Sequence, residues 1–140
     1  MDKNNLITTL YNEFTAASVG FEQALDRANS SFASLTLARR NLAEAKQNLE
    51  FVTASALLAE MSEGGKINGK NAETRELQRK VTLEDLRVHV GDVALASQTV
   101  KAEEAEVALH EVEYEQAKNL LSVLRNRARM IAGLASALSD

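Results

Sequence analysis

Residues 7–59 read ITTLYNEFTAASVGFEQALDRANSSFASLTLARRNLAEAKQNLEFVTASALLA. Stepping by seven from Ile7 gives Phe14, Phe21, Ala28, Leu35, Leu42, Leu49 and Ala56, all apolar. Stepping by seven from Leu10 gives Ala17, Ala24, Ser31, Ala38, Ala45, Val52 and Ala59, where the small Ser31 is the one polar residue. Two apolar series offset by three residues are the a and d positions of a heptad, here sustained over about eight heptads. The pattern predicts one long helix with an apolar seam.

The composition agrees. The chain has 140 residues, 45% hydrophobic but only 4% aromatic, with no Trp and no Pro. Average usage would place about seven prolines in this length. Proline breaks helix interiors, so its absence permits very long helices. Alanine and the straight-chain residues that dominate the sequence are the strongest helix formers. Without cysteine, disulfides, thiolate chemistry and Cys-based metal sites are excluded. The net charge of -4 argues mildly against a dedicated duplex-DNA binder, which presents a basic face. No apolar run reaches the roughly 18 residues that would span a membrane. The polar start, Met1-Asp2-Lys3-Asn4-Asn5, does not resemble a signal peptide. A cytoplasmic protein is the expectation.

The second half repeats the pattern less purely. One series runs Val93, Val100, Val107, Tyr114, Leu121, Ala128, Ala135. Its companion runs through Leu86, His89, Ala96, Glu103, His110, Ala117, Leu124, Ile131 and Leu138, interrupted by His89, Glu103 and His110. Between the halves, Gly64, Gly65, the pair Asn68-Gly69 and Asn71 mark a break. Gly64 suits the position just past a helix end. Asn71 suits the cap of a short helix reaching about Lys80, with Glu73 in its first turn, and Thr82 suits the cap of the last helix. The expected layout is a single domain: a helix over about 5–62, a connector with a short helix over about 63–81, and a helix over about 82–138.

The fold class expected is all-α: an antiparallel two-helix coiled-coil hairpin, each arm about 85 Å long. One register brings Phe14 to Ile131, Ala28 to Ala117, Ala38 to Val107 and Val52 to Val93, often setting a large residue against Ala. Apolar residues remain outside the seams. Phe32, Leu37, Phe51, Leu57 and Leu58 lie off the first; Leu95, Leu109, Val112, Val123 and Met130 lie off the second. A two-helix hairpin has no interior for them, so a dimer forming a four-helix bundle is expected. Its interface would use Phe32, Leu37, Phe51, Leu58, Leu95, Leu109, Val112, Val123 and Met130.

Catalytic and metal roles find no support in the pattern. Gly64-x-x-x-x-Gly69-Lys70 spells most of a phosphate-binding loop, but Asn71 follows and no strand precedes it. His89 and His110 are 21 residues apart, about 32 Å along one helix, too far to share a metal. Glu106 and His110 are four residues apart, not the three of a di-iron bundle. No catalytic residue, metal or other cofactor is expected. Lys66, Lys70, Arg75, Arg79 and Lys80 gather at the connector, offset in part by Glu63, Glu73 and Glu76. They are candidate contacts for an acidic partner surface or for nucleic-acid phosphate.

The segment Ile67-Asn68-Gly69-Lys70-Asn71-Ala72-Glu73-Thr74-Arg75-Glu76-Leu77-Gln78 resembles one found in many small phage and prophage proteins of unknown function. In those, a Gly-Lys-Asn-Ala-Glu-x-Arg run lies between two helices. The resemblance implies a phage-encoded accessory protein in the host cytoplasm and transfers no catalytic residue. The expected function is therefore a non-enzymatic helical module that binds a host protein. An accessory nucleic-acid binder acting through the basic connector, and a structural spacer, are the alternatives.

Overall fold

A computed structural model describes residues 2–62, 64–88 and 91–139. Among them lie three helices and no strand: α1 (Lys3–Met61), α2 (Ala72–Val88) and α3 (Asp92–Ser139). None is long and apolar enough to cross a membrane.

Each terminus has a chemical cause. Asp2 precedes α1, and its carboxylate accepts the Asn4 N–H at 3.3 Å, satisfying a first-turn donor. The exposed threonines Thr8, Thr9, Thr15, Thr36 and Thr99 lie inside helices, where each hydroxyl donates to the carbonyl four residues back. After α1, Gly64 takes φ +84°, a left-handed conformation that side chains with a Cβ resist. Asn71 Oδ1 accepts the Thr74 N–H at 2.8 Å and caps α2. Glu73 in the first turn and Arg87 in the last complement the dipole of α2.

The expected break at Thr82 is not there. Thr82 lies inside α2 and is only 5% exposed. A capping residue must have its backbone outside the helix, and here burial outweighs that local preference. Helix α2 therefore continues past Lys80 to Val88, taking Leu86 with it. Helix α3 starts at Asp92, not at 82, with the Leu95 N–H bonded to the Gly91 carbonyl at 2.9 Å. His89, read as part of the second seam, lies outside the described residues, as does Glu63.

The chain forms two compact units. The first, Met1–Thr36 with Leu109–Asp140, pairs the first part of α1 with the last part of α3. Leu10 and Ala17 are buried with Ile131, and Leu6, Ala128, Ala135 and Leu138 pack around them. Further along, Phe21 lies beside Arg125, and Phe32 beside Tyr114. Positions rise on α1 as they fall on α3, so the two segments run in opposite directions in this unit. Ala24, Ala28 and Ala117 are also buried, and Leu35, 2% exposed, is the largest side chain fully removed from water. Small seam residues let helices approach closely, which explains how so few large side chains fill this core.

The second unit, Leu37–Ala108, holds the rest of α1, all of α2 and the start of α3. Its buried residues are Ala38, Leu57, Ile67, Thr82, Val93, Ala94, Ala96, Val100 and Val107. Leu57 lies off the seam, where a two-helix hairpin offers no interior for it, yet it is 8% exposed and buried within this unit. Ile67, a connector residue, is 4% exposed, so this unit buries a residue that no helical periodicity marks.

Candidate functional site

In the second unit the connector is held by hydrogen bonds rather than by an apolar core alone. The Ile67 N–H donates to the Glu60 carbonyl at 2.9 Å, and the Lys66 N–H donates to Glu60 Oε2 at 2.9 Å. Gly65 passes so close to Glu60 that a Cβ there would sit 2.1 Å from the Glu60 carbonyl oxygen. Gln78 reaches out from α2. Its Oε1 accepts the N–H groups of Asn68 and Gly69 at 2.9 and 2.7 Å, and its Nε2 donates to Asn68 Oδ1 at 3.0 Å.

This geometry changes the candidate basic cluster. Arg75 is turned toward the connector, where Nη1 donates to the Gly69 carbonyl at 3.1 Å. Lys66 Nζ lies 3.6 Å from Asp85, and Arg79 lies 3.4 Å from Glu76. Both are exposed pairs, worth little and easily exchanged for a partner. Lys70 and Lys80 are exposed. Of the five candidates, Arg75 thus serves the loop itself, and Lys66 and Arg79 already neutralise carboxylates. A shallow hollow bounded by Lys66, Leu77, Gln78, Val81 and Thr82 lies beside them.

The nine candidate interface residues are all exposed: Phe32, Leu37, Phe51, Leu58, Leu95, Leu109, Val112, Val123 and Met130. In the second unit Leu37, Phe51 and Leu58 lie on one seven-residue step of α1, with Glu44 between. In the first unit Leu109, Val123 and Met130 share one seven-residue step of α3 with Gln116. Leu120 and Leu134, which seam counting overlooked, are exposed too, Leu120 three residues before Val123 and Leu134 four after Met130. Their signal was present as an offset of three from Val123 and of four from Met130, the spacing of a second helix face. Phe32 is not wholly free: its ring centroid is 5.4 Å from that of Tyr114.

The first unit also contains a groove of about 460 Å3 bordered by Phe14, Phe21, Ala128 and Ala132, with Glu22, Arg125 and Arg129 at its edges. The Arg125 guanidinium lies 5.9 Å from the Phe21 centroid, within cation–π range. Phe14 is on the expected seam yet is 40% exposed, because it lines this opening. Nearby polar residues on α3 pair locally. His110 Nδ1 is 3.1 Å from Glu113 Oε2. Lys118 Nζ is 3.0 Å from Glu115 and 4.8 Å from the Tyr114 centroid. The hydrogen bond to Glu115, and then its charge, hold the Lys118 ammonium above its ordinary pKa.

No protein-family model, curated protein or solved structure matches the chain.

Proposed function

We propose that this chain is a non-enzymatic, protein-binding helical module that folds as an antiparallel hairpin and acts through the apolar faces its helices leave exposed. The observation that carries the reading is the exposure of all nine candidate interface side chains, with Leu120 and Leu134 exposed as well. Covering side chains such as Phe51 and Val123 would stabilise a complex by about 25 cal/mol per Å2 of apolar surface removed from water. Exposed rows of large apolar side chains rimmed by polar residues mark interaction sites. The heptad seams support the hairpin, and a dimeric four-helix bundle would cover much of the surface. The resemblance of residues 67–78 to phage and prophage proteins supports a phage accessory factor whose partner is a host protein.

The basic connector supports a nucleic-acid role less well. Arg75 already bonds the Gly69 carbonyl, and a phosphate would have to displace the weak carboxylate pairs of Lys66 and Arg79.

The test is a photo-reactive phenylalanine analogue placed singly at Phe51 and at Val123, with irradiation in cells that express the protein. Covalent adducts with protein support the reading. Adducts with nucleic acid transfer support to the basic connector. Absence of any intermolecular adduct at both positions overturns the protein-binding reading.

A further inference from the structure

Helix α3 carries a second heptad seam in the first unit, distinct from the one it turns toward α1. Leu109, Glu113, Gln116, Leu120, Val123, Arg127, Met130 and Leu134 follow one another at steps of four and three. The residues that pack against α1 are others: Tyr114, Ala128, Ile131, Ala135 and Leu138. On the second seam the five apolar members are between 40% and 65% exposed. Glu113, Gln116 and Arg127 are exposed as well.

We infer that this seam is the docking surface for α3 of a second copy of the chain, the two helices running in opposite directions. The inference rests on the protein-binding reading and gives it a partner. Charge complementarity selects both occupant and orientation. The seam has one acid, Glu113, and one base, Arg127, seven residues to either side of Leu120. In an antiparallel pairing Leu120 meets the partner's Val123, and Leu109 meets the partner's Leu134. Gln116 then meets the partner's Arg127, and Glu113 meets the partner's Met130, one turn from that arginine. Each Arg127 therefore reaches a Glu113 and a Gln116 across the seam, twice by symmetry, around an apolar centre of Leu120 and Val123. Glu113 already takes a bond from His110 at 3.1 Å, but a carboxylate has about four acceptor positions and can take the guanidinium too. A parallel pairing would instead set Glu113 on Glu113 and Arg127 on Arg127, which repel.

Because the chain has no cysteine, orientation can be read by cross-linking. Leu109→Cys and Leu134→Cys chains are mixed and oxidised. The expected result is a disulfide-linked dimer from the mixture and little from either variant alone. The two positions are 25 residues apart, about 37 Å on one helix, so neither pairs with itself in the antiparallel arrangement. Cross-linking of L109C alone would mean a parallel pairing and overturn the inference. In sedimentation equilibrium, R127E is expected to weaken the dimer about tenfold, and E113R/R127E to restore most of the loss. Circular dichroism checks that each variant keeps its helix content. A double variant no tighter than the single one overturns the charge arrangement. A chain that stays monomeric and does not cross-link overturns self-pairing altogether. Photo-adducts at Phe51 or Val123 with a different protein would then keep the broader reading, whereas no adducts at either position would remove both.

Discussion

Gln78 and Asn68, ten residues apart, grip each other at two points. The Gln78 carboxamide oxygen accepts the Asn68 N–H at 2.9 Å, while its nitrogen donates to Asn68 Oδ1 at 3.0 Å. The same oxygen takes the part-buried Gly69 N–H at 2.7 Å. One side chain of α2 thus replaces the backbone partners that a loop lacks. Gln78→Ala hands the exposed Asn68 N–H to water and takes the acceptor from the part-buried Gly69 N–H, and should lower stability by about 0.5–1.5 kcal/mol, read by denaturant unfolding. Gln78→Glu keeps the acceptor and loses the donor, so its effect should be smaller. Faster amide exchange at Asn68 and Gly69 in Q78A would locate the loss in the connector.

Gly65 should be intolerant of any side chain. A Cβ there would fall 2.1 Å from the Glu60 carbonyl oxygen, which also accepts the Ile67 N–H. Backbone must shift, breaking that bond and lifting buried Ile67. G65A should cost about 1–3 kcal/mol in thermal or denaturant unfolding. G64A meets open space but keeps a left-handed φ, and should cost about 1–2 kcal/mol.

The two candidate caps separate by substitution. Asn71→Ala removes the bond to the Thr74 N–H and should cost about 1 kcal/mol. Thr82→Asp, harmless or helpful at a true cap, should destabilise here, because an aspartate would be placed where 5% of the residue is exposed. Equal or greater stability of T82D would mean that a helix starts there after all.

Lys118 offers a titration test. Glu115 raises its pKa above 10.5, so the pair favours the folded state while Lys118 is protonated. That contribution is present below the unfolded pKa and is lost as pH rises through the higher folded value. Stability therefore varies with pH through this pair only in the alkaline range, and near neutrality the contribution is present and constant. In E115Q, NMR titration of Lys118 should return its pKa toward the ordinary value.

Helicity, the α1 seam and the Asn71 cap were legible in sequence because each depends on neighbours three, four or seven residues away. An all-apolar step from Ile7 to Ala56 leaves a helix little freedom in which face it buries. The side-chain exposure of Phe51, Val123 and Met130 followed from the same counting, since these positions point away from the seam that the helix buries.

Other features were decided only when separate segments met. Thr82 has the chemistry of a cap, yet it is buried mid-helix; Leu57 lies off the seam, yet it is buried too. Arg75 belongs by charge to a basic patch, but the Gly69 carbonyl six residues earlier captures it. Gln78, an ordinary polar helix residue in the sequence, becomes the clamp of the connector. The physical reason is common to all four. Periodicity encodes which way a side chain points from its own helix, but burial and hydrogen-bond partners are supplied by another part of the chain.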